Sequence, residues 1–130
     1  MKDVTKNWIA SANYDFKTAE AMLNSNRYIY VVFMCHLSIE KMIKAIISTE
    51  INDLPPKSHS LIYLKKKASI QFSEVLQEFV EQLDNVSIST RYPEDLKRLS
   101  KEVNKRKAND VFCLTKKALK WLKKDKRLKI

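Results

Sequence analysis

Apolar side chains recur at three- and four-residue steps over most of the chain. Trp8, Ile9, Ala12, Phe16, Ala19 and Leu23 keep that spacing and predict a helix from about Thr5 to Asn24. Asn24-Ser25-Asn26 ends it and caps the next. From Arg27 to about Ser48 the chain is apolar on nearly every side through Leu37, as a buried helix is. Its β-branched and aromatic start also fits a strand, but its length and the later Ile39, Met42, Ile43, Ile46 spacing favour helix. Three polar residues interrupt it. His36, Glu40 and Lys44 stand at i, i+4 and i+8, one narrow stripe on an otherwise apolar rod.

Pro55-Pro56 then stops helix and stiffens the turn. A short helix capped by Ser58 or Ser60 follows, with Leu61 and Leu64 inward. Phe72, Val75, Leu76, Phe79, Val80 and Leu83 predict an amphipathic helix whose other face carries Glu74, Glu78, Glu81 and Asp84. Asp84 to Asp95 reads as a long loop ending in Thr90-Arg91-Tyr92-Pro93, and long loops are often functional. The last helix is expected from about Ser100 to Lys124, with Val103, Ala108, Val111, Phe112, Thr115, Ala118, Leu119 and Leu122 inside. No repeat is present. The pattern predicts an all-α bundle, with residues 1–130 forming one domain and a basic helix over about 100–125.

Composition sharpens this. The chain contains no glycine, where about nine would be average for its length. Walker A loops, dinucleotide GxGxxG loops and the GxSxG elbow are excluded, and Asn-Gly or Asp-Gly hairpins are missing too. Any phosphate bound here cannot sit in a glycine-rich backbone cradle, so side chains such as Arg91, Lys44 and the lysines after Ser100 must supply the charge. Cys35 and Cys113 show neither a CxxC spacing nor the density of a secreted scaffold, so free, buried thiols in a reducing compartment are expected. The N-terminus lacks a signal-peptide apolar core, and the longest apolar run, Tyr28 to Cys35, is far short of the ~20 residues of a membrane span. A soluble, cytoplasmic protein is the expectation. His36 and His59 are the only imidazoles and no zinc-type ligand set accompanies them, so no metal site and no cofactor are predicted.

The net charge of +10 is unevenly placed. Residues 1–96 hold 11 basic and 12 acidic side chains, while 97–130 hold 14 basic and 3 acidic, so the tail carries +11 and the rest −1. Lys116, Lys117, Lys120, Lys123 and Lys124 fall on the outer face of the last helix. That face reads either as a solvated helix surface or as an electrostatic footprint for phosphates.

Further polar residues have two readings each. His36, on an apolar helix, is a hydrogen-bonded core residue or a ligand. Glu40 and Lys44 make an i,i+4 ion pair that needs further partners if buried. Asp15 lies on the edge of the first helix with Trp8, Ala12 and Ala19, so it forms a salt bridge to Lys41 or Lys44, or joins a polar cluster of Asp15, Glu40, Lys44, His59 and Arg91 opening on a groove. Arg91 offers a planar fork for phosphate and Tyr92 a ring for a base. The bland alternative is a turn, with Pro93 opening the next helix before Glu94 and Asp95.

Trp8, Ala12, Asp15 and Ala19, then His36-Leu37 with Glu40-Lys41 and Lys44-Ala45, then Pro56, His59 and Leu61, then Arg91-Tyr92-Pro93, together resemble a small stand-alone HEPN domain. The resemblance runs from about Trp8 to Leu122. It implies an up-and-down bundle of four to five helices that commonly dimerises. It further implies a partner, a minimal nucleotidyltransferase, in a toxin–antitoxin or defence pair, with nucleotide or RNA as ligand. On that reading Asp15, Glu40, Lys44, His59, Arg91 and Tyr92 are the nucleotide- or phosphate-binding candidates. Many such proteins are metal-independent ribonucleases that carry an Arg, four to six residues, then His. This sequence departs from that pattern, because Arg27 is nine residues ahead of His36 and no histidine follows Arg91. It therefore leans away from an enzyme. A ribonuclease toxin pairing His59 with Arg91 and a helical interaction module are the alternatives.

Overall fold

The structure, a computed structural model, describes residues 1–90 and 92–128. Six α-helices occur among them: α1 (Asp3–Asn24), α2 (Tyr28–Ser48), α3 (Leu61–Lys67), α4 (Glu74–Ser89), α5 (Leu96–Glu102) and α6 (Lys105–Lys123). Short 3-10 turns cover Pro93–Asp95 and Lys126–Leu128. The described residues contain no strand, so the all-α expectation holds.

Helix α2 is the axis of the bundle. Fourteen of its 21 residues are buried, among them Val31, Cys35, Ile39, Met42, Ile43 and Ile46, and α1, α3, α4 and α6 all pack on it. Helix α1 lies antiparallel along it. Thr5 meets Ser48 (2.7 Å between hydroxyls), Lys41 donates to the Ser11 hydroxyl (2.8 Å), and Ala12 and Ala19 are fully buried between them. Small residues at those positions let two backbones approach closely. Phe16 of α1 stacks on Phe112 of α6, with centroids 4.6 Å apart and planes within 8°. The C-terminal turn is pinned by Arg127, which pairs with Asp125 and with Glu50 beyond α2 and donates to the Ala68 carbonyl beyond α3.

Three expectations need correction. Asp84–Ser89 is the last part of α4 and not the start of a loop. Its Asn, Ser and β-branched residues are weak helix formers, but Leu83 and Ser87 are buried and Val86 packs on the core, so tertiary contact overrides propensity. The segment expected as one helix from Ser100 is two, α5 and α6, broken at Val103-Asn104. The Asn104 side chain accepts the Lys107 N–H (2.9 Å), a cap hidden inside a continuous apolar pattern. Cys113 also differs from expectation, since it is exposed while Cys35 is buried. Burial pushes the Cys35 thiol up to about 12, which leaves it unreactive at neutral pH.

The missing glycines leave a mark on two helix ends. Asn26 after α1 and Ser69 after α3 have positive φ, 62° and 53°, in the left-handed region glycine normally fills. Each closes a Schellman motif: Arg27 and Asn26 donate to Met22 and Leu23, and Ile70 and Ser69 donate to Lys65 and Lys66. Asparagine tolerates this conformation better than serine. Ser69→Gly should therefore stabilise the fold by about 1 kcal/mol in urea unfolding, and Asn26→Gly by less. A Ser69→Gly variant no more stable than the parent would contradict this account of the turn.

Candidate functional site

Glu40, 3% exposed on α2, is the centre of a polar cluster. Lys44, one turn on, donates to its Oε2 (3.1 Å), and His59, from the extended segment before α3, brings Nδ1 to 3.1 and 3.0 Å from its two carboxylate oxygens. Lys44 is buried as well, and its ammonium lies 5.7 Å from the centre of the Trp8 ring. The cation is thus held between a carboxylate and an aromatic face. One turn before Glu40, His36 is 1% exposed and meets Asp84 of α4 through Nε2 (3.1 Å). Its Nδ1 faces Glu40 at 3.8 Å, beyond hydrogen-bond reach.

Asp84 binds more than His36. Its carboxylate accepts the Leu61 N–H (2.9 Å), the Ile62 N–H (3.3 Å) and the Ser60 hydroxyl (3.2 Å), so α4 supplies the anion that satisfies the start of α3. Ser60 itself caps α3 by accepting the Tyr63 N–H (3.2 Å), and Ser58 accepts the Ser60 N–H (3.0 Å). Burial opposes ionisation of Asp84, but the bonds from His36, Leu61 and Ile62 together outweigh it and hold the carboxyl below its ordinary value.

His59 is where this buried network reaches the surface, with 60% of its side chain exposed. With Nδ1 on Glu40, its Nε2 is the nitrogen left for an outside group. Two clefts border it. One, about 240 Å³, is lined by His36, Ser60, Asp84 and Ile88 with His59; the other, about 520 Å³, by Tyr30, Phe33, Leu37 and Thr90 with His59.

The structure brings together three of the predicted residues, Glu40, Lys44 and His59. Asp15 is held apart. It is buried between α1 and α2 with Lys41 Nζ 2.7 Å from its Oδ2, an ion pair whose geometry is not that of an aligned hydrogen bond. Tyr92 is exposed ahead of the Pro93–Asp95 turn, with Pro93 opening that turn as expected. Arg91 lies outside the described residues. Lys116, Lys117, Lys120, Lys123 and Lys124 are all exposed on α6 or at its end. Sequence reasoning assigns Asp84 to the acidic outer face and misses its role. The available signal is its place one turn after Val80 and three residues before Ser87, both buried. No group of three His, Cys, Asp or Glu suited to a metal ion occurs among the described residues. No helix of the described chain is long and apolar enough to cross a membrane.

The HEPN domain pattern matches residues 5–126. This chain belongs to the HEPN family. Two solved structures share the HEPN bundle seen here. TT1696 from Thermus thermophilus superposes with a TM-score of 0.79 at 19% identity, covering 94% of this chain and 98% of its own. ST0689, an archaeal HEPN homologue, gives 0.69 at 18% identity, covering 95% and 97%. At such identity the likeness concerns the fold. No curated protein matches this HEPN chain.

Asp84 tests the account of how this HEPN fold holds its site. Its depressed carboxyl contributes stability that is fully present above about pH 4 and is lost as pH falls through the folded value. Asp84→Asn should cost about 2 kcal/mol at pH 7 and flatten the acid limb of the stability profile. An unchanged limb in urea titrations at pH 3 to 5 would remove Asp84 from that role.

Proposed function

We propose that this HEPN protein acts in the cytoplasm as the partner of a minimal nucleotidyltransferase in a toxin–antitoxin or defence pair, as a homodimer of one-domain chains that binds a nucleotide or RNA. The observation that carries this reading is the Glu40–His59 pair. A buried carboxylate fixes the imidazole from behind and leaves Nε2 at the mouth of a cleft that Tyr30 and Phe33 border. An imidazole can hydrogen-bond or pair with a phosphate, and an aromatic edge suits a base. Exposed apolar side chains such as Ile88 and Leu96 are the kind of surface a second copy covers. Lys44 and Glu40 support this site from within, because both are buried and paired.

The test is co-expression with the product of the neighbouring gene, which this reading expects to be a minimal nucleotidyltransferase. A stable complex is expected, with a dimeric HEPN component by light scattering and nucleotide binding that weakens about tenfold in His59→Ala, the loss of one charge-assisted hydrogen bond. Absence of both complex and nucleotide binding would overturn the proposal.

A second reading, a metal-independent ribonuclease, is favoured by the same carboxylate–imidazole pair, which is how a general base is oriented. The Arg-x4–6-His spacing is missing from the sequence, so this stays behind the first. RNA cleavage in EDTA that disappears in His59→Ala would reverse the order.

A further inference from the structure

The other end of α3 borders a separate surface. Ser69, Ile70 and Gln71, which follow α3, face Trp121, Leu122 and Lys124 across a cleft of about 280 Å³. Trp121 is 43% exposed although α6 has buried Leu119 and Leu122 on either side of it. Its ring is nevertheless fixed, because indole Nε1 donates to the Gln71 carbonyl at 2.9 Å. A large aromatic side chain is held in place with part of its surface open to solvent.

Lysines outnumber acids around this indole, and Asp125 is the one carboxylate among the residues that line the cleft. Lys120 precedes it, Lys117 and Lys124 stand about one turn to either side, and Lys66 and Lys67 end α3 just before Ser69. All five are exposed, and none forms an ion pair among the described residues. Two nearby carboxylates are already committed. Asp125 and Glu50 both pair with Arg127, and the bond from Arg127 holds the Asp125 carboxyl below the usual range. Repulsion of a polyanion by these acids is thereby reduced.

We infer that this surface binds single-stranded nucleic acid, with a base stacked on Trp121 and the neighbouring phosphates on Lys117, Lys120 and Lys124. From Lys116 to Lys124 lysines recur about once per turn at the end of α6, and an exposed aromatic ring among them is the arrangement that holds single strands without reading sequence. A duplex keeps its bases stacked and offers no free face to the indole. An anionic membrane would need an apolar face beside the lysines, but the apolar face of α6 is buried in the bundle. The surface lies apart from His59, so the inference stands or falls independently of the nucleotidyltransferase partnership.

The chain has two tryptophans, so Trp8→Phe makes Trp121 the sole tryptophan reporter. In that background, a short oligouridylate should quench Trp121, while a duplex of equal length should not. Followed by the fluorescence anisotropy of a fluorescein-labelled oligouridylate, which needs no tryptophan, Trp121→Ala should weaken single-strand binding about tenfold, and Trp121→Phe should retain most of it, which covers an alanine variant that fails to fold. Changing Lys117, Lys120 and Lys124 to Gln should flatten the slope of log affinity against log salt by about 2. Unchanged fluorescence, equal quenching by duplex, or preference for phosphatidylserine vesicles or polyglutamate would overturn the inference. So would a loss in His59→Ala equal to that in Trp121→Ala. His59→Ala with unchanged quenching supports it, even where the nucleotide site proposed above proves wrong.

Discussion

A buried carboxylate at the middle of α2 sets the terms for the helices around it. Removing Glu40 from water costs several kcal/mol unless its oxygens are paired, and the partners must come from outside the apolar face that α2 otherwise presents. Lys44 supplies one partner from the same helix, but as a buried cation it needs contacts of its own, and Trp8 of α1 supplies an aromatic face. His59 supplies the other, from the stiff segment after Pro55-Pro56. His36 repeats the demand one turn earlier, and Asp84 answers it from α4 while closing the first turn of α3. A stripe of three polar residues thus links α1, α3 and α4 to one axis. It fixes their register as apolar packing alone, which tolerates sliding, does not.

The same network explains why His59 can be exposed and still well defined. An imidazole on a loop normally samples several rotamers, and ordering it costs entropy. Here the cost is met by a carboxylate that has no solvent to compete for it. Preorganisation of this sort is what a binding or proton-transferring group requires, and it arises as a by-product of satisfying Glu40.

Much of the fold is legible because α1, α2 and α6 bury continuous stripes, and apolar spacing reports burial directly. The stripe at His36, Glu40 and Lys44 is equally legible, since i, i+4, i+8 spacing puts three residues on one line. The partners of that stripe are less so. Residue type points to His59 and Lys44, but Asp84 is hidden by its acidic neighbours, and Asp15 falls into the wrong cluster because spacing on one helix does not say which residue of the next will face it. Lys41 and Lys44 are equally plausible partners until the antiparallel register of α1 on α2 gives Asp15 to Lys41. The break at Asn104 escapes for a related reason: a cap changes the backbone path while leaving the apolar period of the flanking segments almost intact.

The distribution of charge follows from the same division between inside and outside. Acidic groups near the cluster and near the C-terminal turn are used internally, Glu40 and Asp84 by the network and Asp125 and Glu50 by Arg127. Among the described residues the lysines of α6 form no such ion pairs, so the excess positive charge is presented to solvent and is not averaged away. In a chain without glycine, a glycine-rich loop cannot cradle phosphate, and side chains must supply the charge. The fold offers them in two forms, one imidazole anchored on a buried carboxylate and one row of lysines around an anchored indole. The first suits a single small group in a cleft, the second an extended chain of phosphates. They stand at opposite ends of α3, His59 just before it and the indole cleft just after it.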